Sequence, residues 1–211
     1  MTLSRLVLIG FSGNMLEAFE AAQAQYEIAA ILSDDPAHGP AFEGVPVHPL
    51  SAVPEFGDAQ FLCLIGSEKS FRGRGALIAR LGVPATRFAR LIDGHAVVSR
   101  FAQVGAGSVL FSGATLTSNA VLGEHVMVLP QAVIHHDVTI GDHSIIGTHV
   151  TIAGGVRIGE SCYVGSGATI MSGVQIGAGA LVGMAANVIR DVAPGDIVAG
   201  NPARVLRGAG G

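Results

Sequence analysis

The sequence predicts an α/β Rossmann-like unit followed by a parallel β-helix, and three observations carry that prediction. Strand-like and helix-like stretches alternate over residues 1–88. From Ile92 onward an aliphatic residue recurs at every sixth position. The composition is rich in glycine and poor in charge, with 30 glycines and 13% charged residues, which suits a repetitive backbone that turns often.

In the first half, Leu6–Ile9 is a short apolar run ending at Gly10, the pattern of a buried strand. Met15, Leu16, Phe19, Ala22 and Tyr26 then fall at helical spacing on one face. Ile28–Leu32 reads as a second strand running into the turn Ser33, Asp34, Asp35, Pro36. Phe61–Ile65 reads as a third strand ending at Gly66, with a second helix over Lys69–Leu81. Strand–helix–strand order implies a parallel sheet with right-handed crossovers.

In the second half, stepping by six from Ile92 gives Val98, Val104, Leu110, Leu116, Leu122, Val128, Ile134 and Ile140. The series continues through Ile146, Ile152, Ile158, Val164, Ile170, Ile176, Val182 and Val188, seventeen aliphatics in one phase. Four positions after each sits Ala, Ser, Val or Cys, and directly after it glycine is frequent (Gly105, Gly123, Gly141, Gly147, Gly159, Gly165, Gly177, Gly183). Hexapeptide periodicity is the signature of a parallel β-helix, in which three hexads close one triangular coil of about 18 residues. The aliphatic points inward onto its equivalent one coil later, the small residue fits near a corner, and glycine is expected to relieve the turn. The expected division is 1–88 and 89–211, with the repeat abandoned at the Pro-interrupted VAGNPARVL.

A mean hydropathy of +0.53 comes from Ala, Val and Ile spread among glycines. No run approaches the roughly 18 apolar residues that a spanning helix requires. The opening MTLSRLVLIGFSG has neither a basic region nor a cleavage pattern and reads as a first strand, so a cytoplasmic protein without a membrane partner is expected. Cys63 and Cys162 form no disulfide framework or metal-type spacing. A net charge of −4 without a basic run argues against nucleic acid as partner.

The stretch AVIHHDVTIGD, residues 132–142, interrupts the small aliphatics with His135, His136 and Asp137. His136 is third in its hexad, between inward Ile134 and small Val138, so its side chain should leave the prism. This stretch and VAGNPARVL, together with LIGFSGN, LSDDP, GVPV and IGSEKSFR in the first half, resemble the hexapeptide-repeat acyltransferases that modify nucleotide-linked amino sugars. That family includes bacillosamine-type and perosamine N-acetyltransferases and sialic acid O-acetyltransferases. The likeness covers nearly the whole chain.

The resemblance implies a left-handed coil, a homotrimer with active sites between subunits, acetyl-CoA as co-substrate, no metal, and a nucleotide-linked amino sugar as acceptor. It makes His136 the general base, a role that suits an imidazole titrating near neutrality. Asp137 would fix its tautomer, with Asp142 as fallback and His135 a bystander facing solvent. The Gly154 N–H would steady the oxyanion. Backbone amides at Ser166 and Met184 would hold the pantetheine arm, and the loop Asn201–Arg204 the adenine end, with Arg204 supplying charge. Gly10, Ser12 and Gly13 match a diphosphate-cradling loop, although a full GxGxxG is absent. Asn14 follows where relatives commonly have His-Gly, and Asp34 and Asp35 sit where an acid meets a ribose or base edge. Leu129 stands where relatives often carry Asn near the sugar.

Three other readings compete. The acceptor can be a hydroxyl, as in sialic acid O-acetylation, because a histidine base serves both. His125, His136, His143 and His149 suggest a γ-type carbonic anhydrase, although His143 and His149 are six apart where that family's pair is five apart. A scaffold that only trimerises is the third.

Overall fold

The computed structural model describes residues 3–208. Its first half is a five-stranded sheet built from β1 (Arg5–Ile9), β2 (Glu27–Leu32), β3 (Ala41–Phe42), β4 (Val45–His48) and β5 (Gln60–Cys63), with helices α1 (Gly13–Gln23) and α2 (Arg74–Arg80). The order is β3-β4-β2-β1-β5, parallel except for the β3–β4 hairpin. Leu6 and Leu8 pack on one side of β1, Val7 and Ile9 on the other, and all four are fully buried. A strand covered on both faces reads as an unbroken apolar run, which is why it stood out in the sequence.

Three elements differ from expectation. The hairpin was not anticipated; Glu43 and Gly44, at φ 48° and 78°, form the two-residue left-handed turn that such hairpins favour. The second helix begins at Arg74, after a 3-10 turn over Phe71–Gly73; ahead of both, Ser70 accepts from the Ser67 N–H at 3.0 Å and holds residues 67–70 in a separate turn. Tyr26 lies beyond α1, where its hydroxyl donates to the Arg90 carbonyl.

In the second half each of the seventeen predicted aliphatics is the second residue of a two-residue strand, from Leu91–Ile92 to Asn187–Val188. Each strand up to Thr169–Ile170 pairs in parallel with the one 18 residues later, as Leu116 does with Ile134, and three faces result. The first face carries the strands ending at Ile92, Leu110, Val128, Ile146, Val164 and Val182, the second those ending at Val98 through Val188, the third those ending at Val104 through Ile176. Their inward residues from Leu110 to Val198 form one apolar core.

The eight glycines that follow the aliphatics do not serve the turn as expected. A Cβ at Gly141 would lie 2.5 Å from the Glu160 nitrogen, and one at Gly105 2.2 Å from the Gly123 carbonyl oxygen, so they permit coils to approach. The left-handed backbone falls two residues later, at Gly107, Asn119, His125, Asp137, His143, His149 and their equivalents.

After Val188 the chain adds Ile197–Ala199 to the first face, turns at the cis Asn201–Pro202 bond, and returns antiparallel over Arg204–Arg207. The α/β sheet rests on the first face of the prism. Met15, Phe19, Leu62 and Leu64 share one core with Val109, Met127 and Ile145.

Candidate active site

Residues 18 apart stack along a prism edge. Residues 136–137 and 154–155 lie on the edge between second and third faces, the one edge that does not border the face under the α/β sheet. His136 is exposed there, with Nδ1 2.7 Å from Asp137 Oδ2. Asn119, one coil earlier, donates from Nδ2 to Asp137 Oδ1 at 3.0 Å. The hydrogen bond from His136, then that from Asn119, holds the Asp137 carboxyl below the usual carboxylate range. Asp137 sits at φ 59°, so the tight corner brings its short side chain back to the neighbouring ring. With the Nδ1 proton directed at the carboxylate, Nε2 carries the open lone pair.

Gly154 lies directly beneath that ring. A Cβ there would fall 2.6 Å from His136 Cε1 and 2.7 Å from Nε2, so only glycine leaves the imidazole in place. Asp142 is elsewhere: on a different edge, its Oδ1 accepts from the Glu124 N–H at 2.7 Å. His135 is exposed, directed outward from the second face.

Ser166 and Met184 stack on the edge between first and second faces, across the second face from His136. Met184 is 73% exposed. Asn201 accepts from Asn187 Nδ2 at 3.1 Å, which ties the exit loop to the last coil, and Arg204 is exposed beside it. One chain therefore does not bring these residues to His136.

The sheet order reverses between β1 and β5, and a cavity of about 300 Å³ opens at the carboxyl ends of those strands. Gly10, Ser12 and Asp34 line it, with Ser33, Ile65 and Gly66. Gly10 has φ 99°, and a Cβ there would strike Ile65 at 2.4 Å. Gly13 opens α1 beside it. Asn14 is turned inward, donating to the Leu64 and Gly66 carbonyls at 3.2 and 2.9 Å. Asp34 accepts from the Leu50 N–H, and Asp35 caps the short Pro36–His38 turn through the Ala37 N–H. Because the sheet rests on the first face, this cavity and His136 lie on opposite sides of the prism.

Within one chain the histidines that suggested a zinc site are spread over three prism edges. His125 and His143 stack at 5.4 Å on the third edge, His149 is on the first and His136 on the second. Among the described residues no group of three or more His, Cys, Asp or Glu is placed to hold a metal ion. Leu129 packs against the core beneath the α/β sheet. Sequence reasoning missed Asn119, which a step of one coil back from Asp137 would have found. It also missed Arg74, for which no signal existed.

The prism carries the hexapeptide repeat found in bacterial transferases. Residues 119–154 match the family model described as bacterial transferase hexapeptide (six repeats), and 155–188 match the hexapeptide repeat of succinyl-transferase. PerB from Caulobacter crescentus, determined in complex with CoA and GDP-perosamine, is 29% identical, with a TM-score of 0.85 over 98% of this chain and 99% of that one. The acetyltransferase domain of PglB from Neisseria gonorrhoeae FA1090, in complex with acetyl coenzyme A, is 27% identical, also with a TM-score of 0.85, over 97% and 100%. WeeI from Acinetobacter baumannii AYE is 25% identical, with a TM-score of 0.63 over 96% and 100%. No curated protein matches the chain by sequence. Residues 119–188 carry transferase-type hexapeptide repeats on a left-handed parallel β-helix, and over nearly its whole length the chain is similar to solved amino-sugar acetyltransferases.

Proposed function

We propose that the chain transfers the acetyl group of acetyl-CoA to the amino group of a nucleotide-linked amino sugar, with His136 as general base. The observation that carries this reading is the chain of contacts Asn119, Asp137, His136 above Gly154 on an exposed prism edge. PerB was crystallised with CoA and GDP-perosamine and the PglB domain with acetyl coenzyme A, which supports the substrate classes.

The thioester supplies an activated acetyl group. His136 Nε2 takes a proton from the attacking amine and returns it to the departing sulfur, while Asp137 stabilises the imidazolium between the two transfers. The Gly154 N–H donates to the carbonyl oxygen as charge builds on it. Backbone N–H groups at Ser166 and Met184 hold the pantetheine arm, and Asn201 and Arg204 receive the nucleotide end of the coenzyme. Gly10, Ser12, Gly13 and Asp34 hold the acceptor's nucleotide, with Asn14 acting from behind the cavity wall and Asp35 shaping its rim.

The separation of these groups within one chain makes a homotrimer part of the reading. The edge bearing His136 meets a neighbour's Ser166–Met184 edge and its nucleotide cavity, so each site is shared. The reading places the reaction in the cytoplasm. No helix among the described residues is long and apolar enough to cross a membrane. Incubation with acetyl-CoA and a panel of uridine-, guanosine- and thymidine-linked amino sugars should yield a product heavier by one acetyl group. Thioester consumption without any acetylated sugar in the panel would remove the acceptor class.

A further inference from the structure

We propose that Arg74, with Asn14, is a positioning pair that turns the Gly66 N–H into the nucleotide cavity as a donor to the acceptor's diphosphate. The inference rests on the nucleotide reading of that cavity. None of the described residues lining the cavity is Lys or Arg, and Asp34 adds negative charge. An anion seated there must therefore be held by neutral donors, the serine hydroxyls of the lining and backbone N–H groups. Phe11, Ser12 and Gly66 line the cavity, and their N–H groups have no hydrogen-bond partner among the described residues.

The direction of the Gly66 N–H follows from its peptide plane. In a trans peptide the carbonyl of one residue and the N–H of the next point opposite ways. Arg74 Nε donates to the Ile65 carbonyl at 2.9 Å, drawing it into the protein, so the Gly66 N–H faces the other way, toward the cavity. The same guanidinium donates to the Cys63 carbonyl at 3.0 Å and to that of His125 on the prism. Asn14 takes the two remaining carbonyls, Leu64 and Gly66. Four consecutive carbonyls, 63 to 66, are thus held by two side chains. Arg74 is 1% exposed and its partners are backbone carbonyls, a costly burial for a full charge. Its bond to His125 anchors the cavity wall to the prism, so donor position is set relative to the rigid coil.

The test compares ligands with and without phosphate. Binding of GDP, UDP and dTDP, of the matching free nucleosides, and of CoA is measured by calorimetry or ligand NMR for the wild type, Asn14→Ala and Arg74→Lys. Each variant should weaken the diphosphate that the wild type prefers by about tenfold and leave nucleoside and CoA within about twofold, since only the phosphate donors move. Equal weakening of nucleoside and diphosphate would assign the pair a merely structural role and overturn the proposal, as would unchanged diphosphate binding. Arg74→Lys retains the charge, and Asn14→Ala leaves it untouched, so poor folding of one variant still leaves the other to decide. Failure of the wild type to bind any nucleoside diphosphate would instead overturn the reading of the cavity, and the pair's role with it.

Discussion

At the scale of single residues, a histidine acts as a base when one ring nitrogen is committed and the other is left open. Asp137 commits Nδ1 of His136, and Asn119 in turn commits Asp137. The three side chains are exposed, so their value lies in orientation more than in stability. His136→Asn should lower kcat by about 10²–10⁴-fold while CoA affinity stays unchanged, because proton transfer is lost and the coenzyme edge is not touched. Asn119→Ala should cost about tenfold in kcat by freeing the Asp137 rotamer, a smaller loss because the His136–Asp137 contact survives. Steady-state rates beside direct CoA binding check both. An Asn119 variant as damaged as the His136 variant would mean that Asn119 touches substrate itself.

At the scale of the hexad, two kinds of glycine share one repeat and differ in why they are there. Gly159→Ala would place a Cβ 2.5 Å from the Ala178 nitrogen, with backbone unable to yield, and should cost about 1–3 kcal/mol. Gly173 has φ 74° with open space around it, the same left-handed corner conformation that Asn119 and His125 adopt in other coils. Gly173→Asn should cost well under about 1 kcal/mol, since Asn tolerates that conformation. Thermal unfolding of the two variants reads the contrast, and equal losses would refute the division of roles. The same repeat explains what was legible. Seventeen inward aliphatics announced the coils because each must stack on its equivalent, and His136 was legible as a residue out of phase with them. The second helix was placed too early because hydrophobic spacing does not report that Ser70 captures the Ser67 amide or that a 3-10 turn follows over Phe71–Gly73. The β3–β4 hairpin was missed because strands of two and four residues carry little periodicity. Arg74 was invisible because nothing local marks a cation whose partners are carbonyls 9, 11 and 51 residues away.

At the scale of the whole molecule, the α/β half is joined to the prism by a dry seam that already holds one buried cation, Arg74, and tolerates no second one. His125 lies between Phe88, His143 and Arg74, and burial first, then the Arg74 and His143 charges, lower its pKa to about 4, against a smaller opposing pull from Asp142. The folded chain then binds fewer protons than the unfolded chain below pH 6.5. The seam is at full strength above that value and weakens as pH falls toward 4. Tm should drop over this window, and His125→Asn, acceptable at φ 57°, should flatten the drop; an identical slope in the variant would place the sensitive group elsewhere. The larger consequence of the architecture is that a single chain holds its base and its coenzyme groups on different prism edges. Two inactive variants can then repair one another. His136→Asn damages one edge and Met184→Glu the other, and each alone should be nearly inactive as a pure assembly. In randomly mixed trimers, about one site in four pairs an intact His136 edge with an intact Met184 edge, so co-refolding should restore about a quarter of wild-type activity. A site built within one chain predicts no recovery at any mixing ratio, because every chain carries a lesion. Titrating the two variants against each other tests this directly: shared sites give a maximum at equal amounts, and a flat line near zero would return the whole reaction to one subunit.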